Sequence, residues 1–395
     1  MGSGKTSAAI NKMNFETGKR FIFLTQFNDE TLRIRNSCSA RGFVVPDNYE
    51  GSKLRSLHTR LKNGENIATT HALFYYYTEE TLDYIRNGNY CLVLDEVIEI
   101  VKFLEVSQDD IMSLIDSKLV EIEPSTNRVV WMKDGYSGIW NDLRREIDST
   151  FVTYEDGRLL VWMMPLEMFS VFKEVLILTY MFKAQYQYYY FLMHGVEIEY
   201  LGVEHKNGKY FFTGNPSPAK IHLPEIHILD DAALNQVGDN YFALSSSWHR
   251  NEHGNNTELI QTLKNNLYNY FTNKVPGKSE ERLWASYGST ENILRGRGFT
   301  KRHIAFNMRA TNDYSDCAYL AYLVNVFPHV DTQRYFEKRG FTIDRDALAT
   351  SDMVQWLWRS RLRKGQEVWL YLPSRRMREL LHKWIDEVSL KGEQR

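Results

Sequence analysis

The chain has 395 residues, of which 43% are hydrophobic and 25% charged, and these balance to a formal net charge of -2. That composition excludes a disordered or low-complexity chain and supplies enough apolar side chain for a two-domain core. Three well-separated cysteines (Cys38, Cys91, Cys317) exclude a disulfide scaffold or a clustered thiolate metal site and fit a reducing, cytoplasmic setting; no apolar run approaches a membrane span.

The opening residues read MGSGKTSAAI, and Gly2, Ser3, Gly4, Lys5 and Thr6 match the end of the phosphate-binding loop G-x-x-x-x-G-K-[ST] at the start of a helix. Glycines let backbone N–H groups approach phosphate oxygens, the lysine reaches the β- and γ-phosphates, and the threonine hydroxyl ligates Mg²⁺. Counting back from Gly4, the first glycine of the motif and the strand that feeds the loop would fall before Met1, so the chain reads as short by one strand at its front.

Residues 21–25 (FIFLT) form an expected strand, as do residues 67–71, which lead into a helix. The continuous apolar run Tyr90 to Leu94 has the pattern of a strand buried on both faces of a parallel sheet. It ends in Asp95 and Glu96, a pattern that supplies a metal ligand and a carboxylate to polarise an attacking water. Residues 102–165 read as a helix and a small hairpin insertion, with arms near 119–122 and 128–132, and a further buried strand runs from Val175 to Leu178, ending at Thr179. After Lys183 the chain becomes tyrosine-rich, and these tyrosines read as core rather than as a base-stacking platform. The domain boundary is placed there, giving 1–183 and 184–395.

In the second half, strands are expected at 196–201, 226–229, 303–307 and 367–372, and helices over 258–273, 318–326, 347–364 and 375–388. The polar stretch 245–257 reads as a surface loop. Gln355, Arg359 and Arg363 fall at successive i, i+4 positions, so one helix would carry them on a single face beside Arg361, suited to an incoming phosphate. Two basic clusters, Arg295 to Arg302 and Arg359 to Arg378, are candidates for backbone-phosphate contacts. His249 and His253 match a zinc-protease spacing, H-x-x-E-H, but sit among Ser, Asn and Gly rather than on an apolar helix, and zinc chemistry is set aside.

Taken in order, MGSGKT, FIFLTQFN, IATTHALF, LVLDEV, LILTYMF, FNMRATNDYSD and QWLWRSRLRKG resemble the motifs of superfamily-two helicases. The resemblance is to the helicase-like replication ATPases of bacteriophages and covers nearly the whole chain. It implies an α/β fold of two RecA-like P-loop domains with mostly parallel sheets, and ATP with Mg²⁺ as ligands. It implies nucleic acid as partner, DNA before RNA, together with other replication proteins.

Carried over by position, Gly2, Ser3, Gly4, Lys5, Thr6 and Gln355 would contact the nucleotide, Thr6 and Asp95 the metal. Glu96 would be the catalytic base and Arg359, Arg361 or Arg363 the arginine finger; Thr70, Thr179, Arg309, Thr311 and Asn312 would lie on the nucleic-acid path. Arg361 follows Arg359 by two positions and Arg363 by four, where the family spacing is three, so the choice between them stays open. The expected activity is ATP-driven unwinding or translocation. A terminase-like packaging ATPase and a DNA-binding motor remnant are the alternatives.

Overall fold

The computed structural model describes residues 4–393 apart from 49–50, 150, 215–222, 256 and 308–312. Helix α1 (Lys5–Phe15) leads into β1 (Arg20–Thr25), followed by β2 (Ile67–Thr70) and β3 (Tyr90–Leu94). The chain then leaves this sheet for β4 (Val101–Leu104), the hairpin β5 (Val120–Ile122) and β6 (Val129–Trp131), and the pair β7 (Phe151–Glu155) and β8 (Leu159–Met163). It returns as β9 (Val175–Ile177), completing a four-stranded sheet of order β2-β1-β3-β9 in which every pairing is parallel. A strand inside such a sheet is covered on both faces, which is why Tyr90 to Leu94 reads as unbroken apolar sequence and is wholly buried.

The hairpin β10 (Gly202–Lys206) and β11 (Lys209–Thr213) precedes a second parallel sheet built from β12 (Ile226–Ile228), β13 (Arg282–Ala285), β14 (Tyr319–Tyr322) and β15 (Val368–Tyr371), in the order β12-β15-β14-β13. Two parallel sheets flanked by helices are the fold class expected from the sequence. Among the described residues no helix is long and apolar enough to cross a membrane.

Several local expectations fail for identifiable reasons. The stretch 318–326 holds the short strand β14 (Tyr319–Tyr322) and no helix: its apolar run is buried on both faces, and such a run has no period by which to tell the two apart. The strand expected at 303–307 reduces to one bridge between Trp284 and His303, and the sheet position belongs to β13 instead. Residues 196–201 are irregular, and among the described residues β10 and β11 pair with each other as a two-stranded sheet. The insertion after β3 is larger than a hairpin, because β4, β8 and β7 form an antiparallel sheet of their own. The polar stretch at 245–257 holds the helix Ser246–Gly254, capped by the Ser245 side chain accepting from the Trp248 amide.

The tyrosine-rich helix Tyr186–Met193 buries Tyr189 and Tyr190, so its aromatics are core as expected. They share that core with Tyr335, Phe336 and Ile343 from the far end of the chain. Around them, Arg158 pairs with Asp331 at 3.2 Å and Arg339 with Glu155 at 2.8 Å.

The basic cluster at 375–378 is mostly not a free phosphate surface. Arg376 is buried, with its guanidinium on Asp346 at 2.7 Å, Asn325 Oδ1 at 2.9 Å and the Val326 carbonyl at 2.8 Å, and it lies over the Phe327 ring. Arg378 donates to the carbonyls of Leu372 and Pro373. Asp346 is largely exposed, so the loss falls on the buried hydrogen bonds to Asn325 and Val326, whose oxygens would be left unpaired at a cost of about 1–3 kcal/mol. Arg376→Ala is therefore expected to lower the urea midpoint sharply, whereas exposed Arg375→Ala leaves it almost unchanged.

Candidate nucleotide site

The four parallel strands of the first sheet end on one edge, and the loops there bring distant residues together. β3 delivers Asp95, whose amide donates to the Leu24 carbonyl at the end of β1. Gly4 precedes α1 with a positive φ of 77°, a turn that glycine adopts without strain, and Lys5 and Thr6 open the helix. Thr6 Oγ1 donates to Asp95 Oδ1 at 2.9 Å, joining the two motif ends across the sheet edge. Thr179, two residues past β9, donates its hydroxyl to Glu96 Oε2 at 3.2 Å.

Electrostatically this cluster waits for an ion. Desolvation pushes the Asp95 carboxyl up to about 7; the Thr6 hydrogen bond opposes the rise and the Glu96 charge adds to it. Burial also lowers the Lys5 ammonium, against the pull of Glu96 and Asp95. Among the described residues no carboxylate comes within ion-pair distance of Lys5. A partly desolvated cation at a helix N-terminus is suited to an anion. The hard oxygens of Thr6 and Asp95 suit a divalent cation, whose charge would oppose the desolvation that raises the Asp95 carboxyl. The residues therefore fit Mg²⁺ and a polyphosphate.

The second half contributes Gln355, buried, whose amide donates to Ser351 Oγ at 3.0 Å. The same hydroxyl accepts from Gln185 at 2.9 Å, so this position is tied to the segment just after Thr179. The expected row Gln355, Arg359, Arg363 does not share one helix. The helix ends at Leu357, and a 3-10 turn, Arg361–Lys364, begins after Ser360, whose hydroxyl accepts from the Leu362 amide. Packing explains the break: Trp356 lies against Tyr322 and Trp358 against Trp384, which anchors both sides of the turn.

Arg359 is buried, Arg363 exposed, and Arg361 is held at β15. There its Nε donates to the Glu367 carbonyl at 2.5 Å and its guanidinium covers the Trp369 ring. Thr70 ends β2 at the same sheet edge as Asp95. Gly2, Ser3, Arg309, Thr311 and Asn312 lie outside the described residues. Gln185 and Ser351 were not singled out in the sequence, and no local pattern marks them, since their roles arise only when the two halves meet.

The histidines of the H-x-x-E-H match separate. His249 is fully buried, with Nε2 on the Leu323 carbonyl at 2.9 Å and Nδ1 on Thr290 Oγ1 at 2.8 Å, while His253 is exposed.

Comparison with known proteins gives three results. The family model described as the YonV C-terminal Rossmann-like domain matches residues 221–385. The SPbeta prophage-derived protein YonV of Bacillus subtilis (strain 168) is 37% identical over 406 residues, which cover 98% of this chain and 97% of the relative. Two solved structures align over 96% of the chain: an XPD protein in its apo form, at 14% identity with 93% of that chain covered and a TM-score of 0.49, and S. tokodaii Xpd4, at 11% identity with 91% covered and a TM-score of 0.44.

Burial holds the His249 imidazole down to about 4, so between that value and its ordinary 6.5 the unfolded chain takes a proton that the folded chain refuses. The His249 contribution is fully present above pH 6.5 and is lost as the pH falls to 4, an effect of about 3 kcal/mol. Urea melts at pH 7 and pH 4.5 are expected to show this loss, and His249→Gln to shrink it.

Proposed function

We propose that this chain, which belongs to the family of the prophage protein YonV, is an ATP-dependent nucleic-acid translocase or helicase acting on DNA in phage replication or recombination. The observation that carries the reading is the meeting of Lys5 and Thr6 with Asp95 and Glu96, held by the Thr6–Asp95 hydrogen bond across 89 residues of sequence. On this reading the Lys5 ammonium and the N-terminal amides of α1 hold the β- and γ-phosphates. Mg²⁺, held by Thr6 and Asp95, would neutralise phosphate charge. Glu96 accepts the proton of the attacking water, and the Thr179 hydroxyl fixes the direction of that carboxylate.

Thr179 is also the start of the path to the second half. From it the chain runs six residues to Gln185, which shares Ser351 with Gln355. A change at Glu96 can thus be felt in the segment that bears Arg359, the arginine we assign to the γ-phosphate, with Arg363 or Arg361 as its second. Domain closure on ATP and release after hydrolysis would then shift the grip on a nucleic-acid strand, for which Thr70, Arg309, Thr311 and Asn312 are the proposed contacts in this chain.

Expected results are ATP hydrolysis stimulated by single-stranded DNA, and a fall in that rate of about 10² or more in Lys5→Ala and in Glu96→Gln, consistent with loss of electrostatic or general-base catalysis. The same assay with Gln355→Ala should lose stimulation by DNA while retaining more of the basal rate. Unchanged hydrolysis in Lys5→Ala would overturn the site.

A further inference from the structure

The phosphate loop has a second neighbour that the reading above does not use. Along α1 each residue turns about 100°, so Gly4 and Thr6 point to opposite sides of the helix, while Asn11 and Phe15 return to the side of Gly4. Thr6 faces Asp95. The Gly4 side is covered by the hairpin β10–β11. Asn11 Nδ2 donates to the Tyr210 carbonyl at 2.9 Å, the Phe15 ring stacks on Phe211 with centroids 6.3 Å apart, and Lys209 lies over Phe15 at 5.1 Å. Phe212 packs into the core beneath α1. The hairpin is thus fastened along the length of the helix.

At the loop end of this seam the Tyr210 ring lies against Gly4 so closely that a Cβ there would be 2.3 Å from its Cδ1. Gly4 is therefore required twice, by its positive φ and by this ring. Tyr210 remains half-exposed, flanked by His205 with ring centroids 4.7 Å apart. A nucleotide whose terminal phosphates lie on Lys5, with the γ end toward Asp95 and Glu96, must carry its ribose and base to the other side of the helix start. Among the described residues, the aromatic ring that lies against the helix start on that side is Tyr210, with Phe15 and Phe211 further along the helix.

We propose that Tyr210 is the base-contacting residue of the nucleotide site, a stacking surface for a purine delivered by a hairpin that lies outside both parallel sheets. The proposal rests on the nucleotide reading of Lys5, Thr6, Asp95 and Glu96 and names what that reading leaves open: how the site tells a nucleotide from bare polyphosphate. Stacking of a base on an aromatic ring is sequence-tolerant and strong enough to set affinity. Since the hairpin joins the first half to the second, a base seated on Tyr210 also touches the connection between them.

The test is calorimetric binding of Mg²⁺·ATP and of Mg²⁺·tripolyphosphate to the full chain, in wild type, Tyr210→Phe, Tyr210→Ala and Tyr210→Leu. Leucine keeps apolar bulk against Gly4 without a ring, so it guards against a folding defect in the alanine variant. Wild type and Tyr210→Phe are expected to bind ATP more tightly than tripolyphosphate; alanine and leucine are expected to weaken ATP about tenfold and leave tripolyphosphate unchanged. If the variants weaken both ligands equally, or neither, the ring serves only to shape the loop and the proposal falls while the nucleotide reading stands. If wild type binds neither ligand, both fall together.

Discussion

A sheet whose strands all run one way gathers their C-terminal ends at a single edge, and this constraint underlies the site. β1, β2, β3 and β9 are all parallel, so Thr25, Thr70, Asp95 and Thr179 arrive at that edge from four separate stretches of sequence. α1 adds Lys5 and Thr6 there. The site is then closed by two hydrogen bonds, Thr6 to Asp95 and Thr179 to Glu96, each joining residues more than 80 positions apart. Desolvation at this edge, with the neighbouring Glu96 charge adding to it, raises the Asp95 carboxyl toward neutrality. That is a cost to the fold which a bound divalent cation would offset.

The two halves of the chain are interleaved more deeply than a simple tandem of sheets requires. Phe336 and Ile343, late in the sequence, complete the core around the first sheet, and the ion pairs of Arg158 and Arg339 hold that junction at its rim. Closer to the site, Ser351 Oγ accepts from both Gln185 and Gln355. One hydroxyl thus stands between the segment after Thr179 and the turn that carries Arg359. The connecting hairpin is fastened to α1 rather than left free. The start of α1, the connecting hairpin and the segment that bears Arg359 are therefore mechanically linked.

Much of the first sheet was legible because strands buried on both faces announce themselves as apolar runs ended by polar residues, as Tyr90 to Leu94 does before Asp95. The same rule misled at 318–326, where an equally apolar run carries no sign of which element it will join, and the strand at Arg282–Ala285 was too short to stand out. Polarity misled at 246–254, because that helix is seated by only two neighbouring side chains, buried His249 and half-buried Trp248. In the site, Lys5, Thr6, Asp95 and Glu96 could be read from local strings. The break after Leu357 could not, since it depends on how Trp356 and Trp358 pack against Tyr322 and Trp384. Nor could Tyr210, one tyrosine among 24, whose neighbour Gly4 lies at the other end of the half-chain.

On the proposed function, the sheet edge holds a metal-bound polyphosphate, with Thr6 and Asp95 supplying the oxygens for the metal and Lys5 the charge for the phosphates. The direct measurement is the affinity of the wild-type chain for ATP by calorimetry, in Mg²⁺ and again in excess chelator, at a pH near 8 where Asp95 is ionised. Binding in Mg²⁺ is expected to weaken at least tenfold in chelator. Absence of binding in Mg²⁺, or an affinity indifferent to the metal, would contradict it.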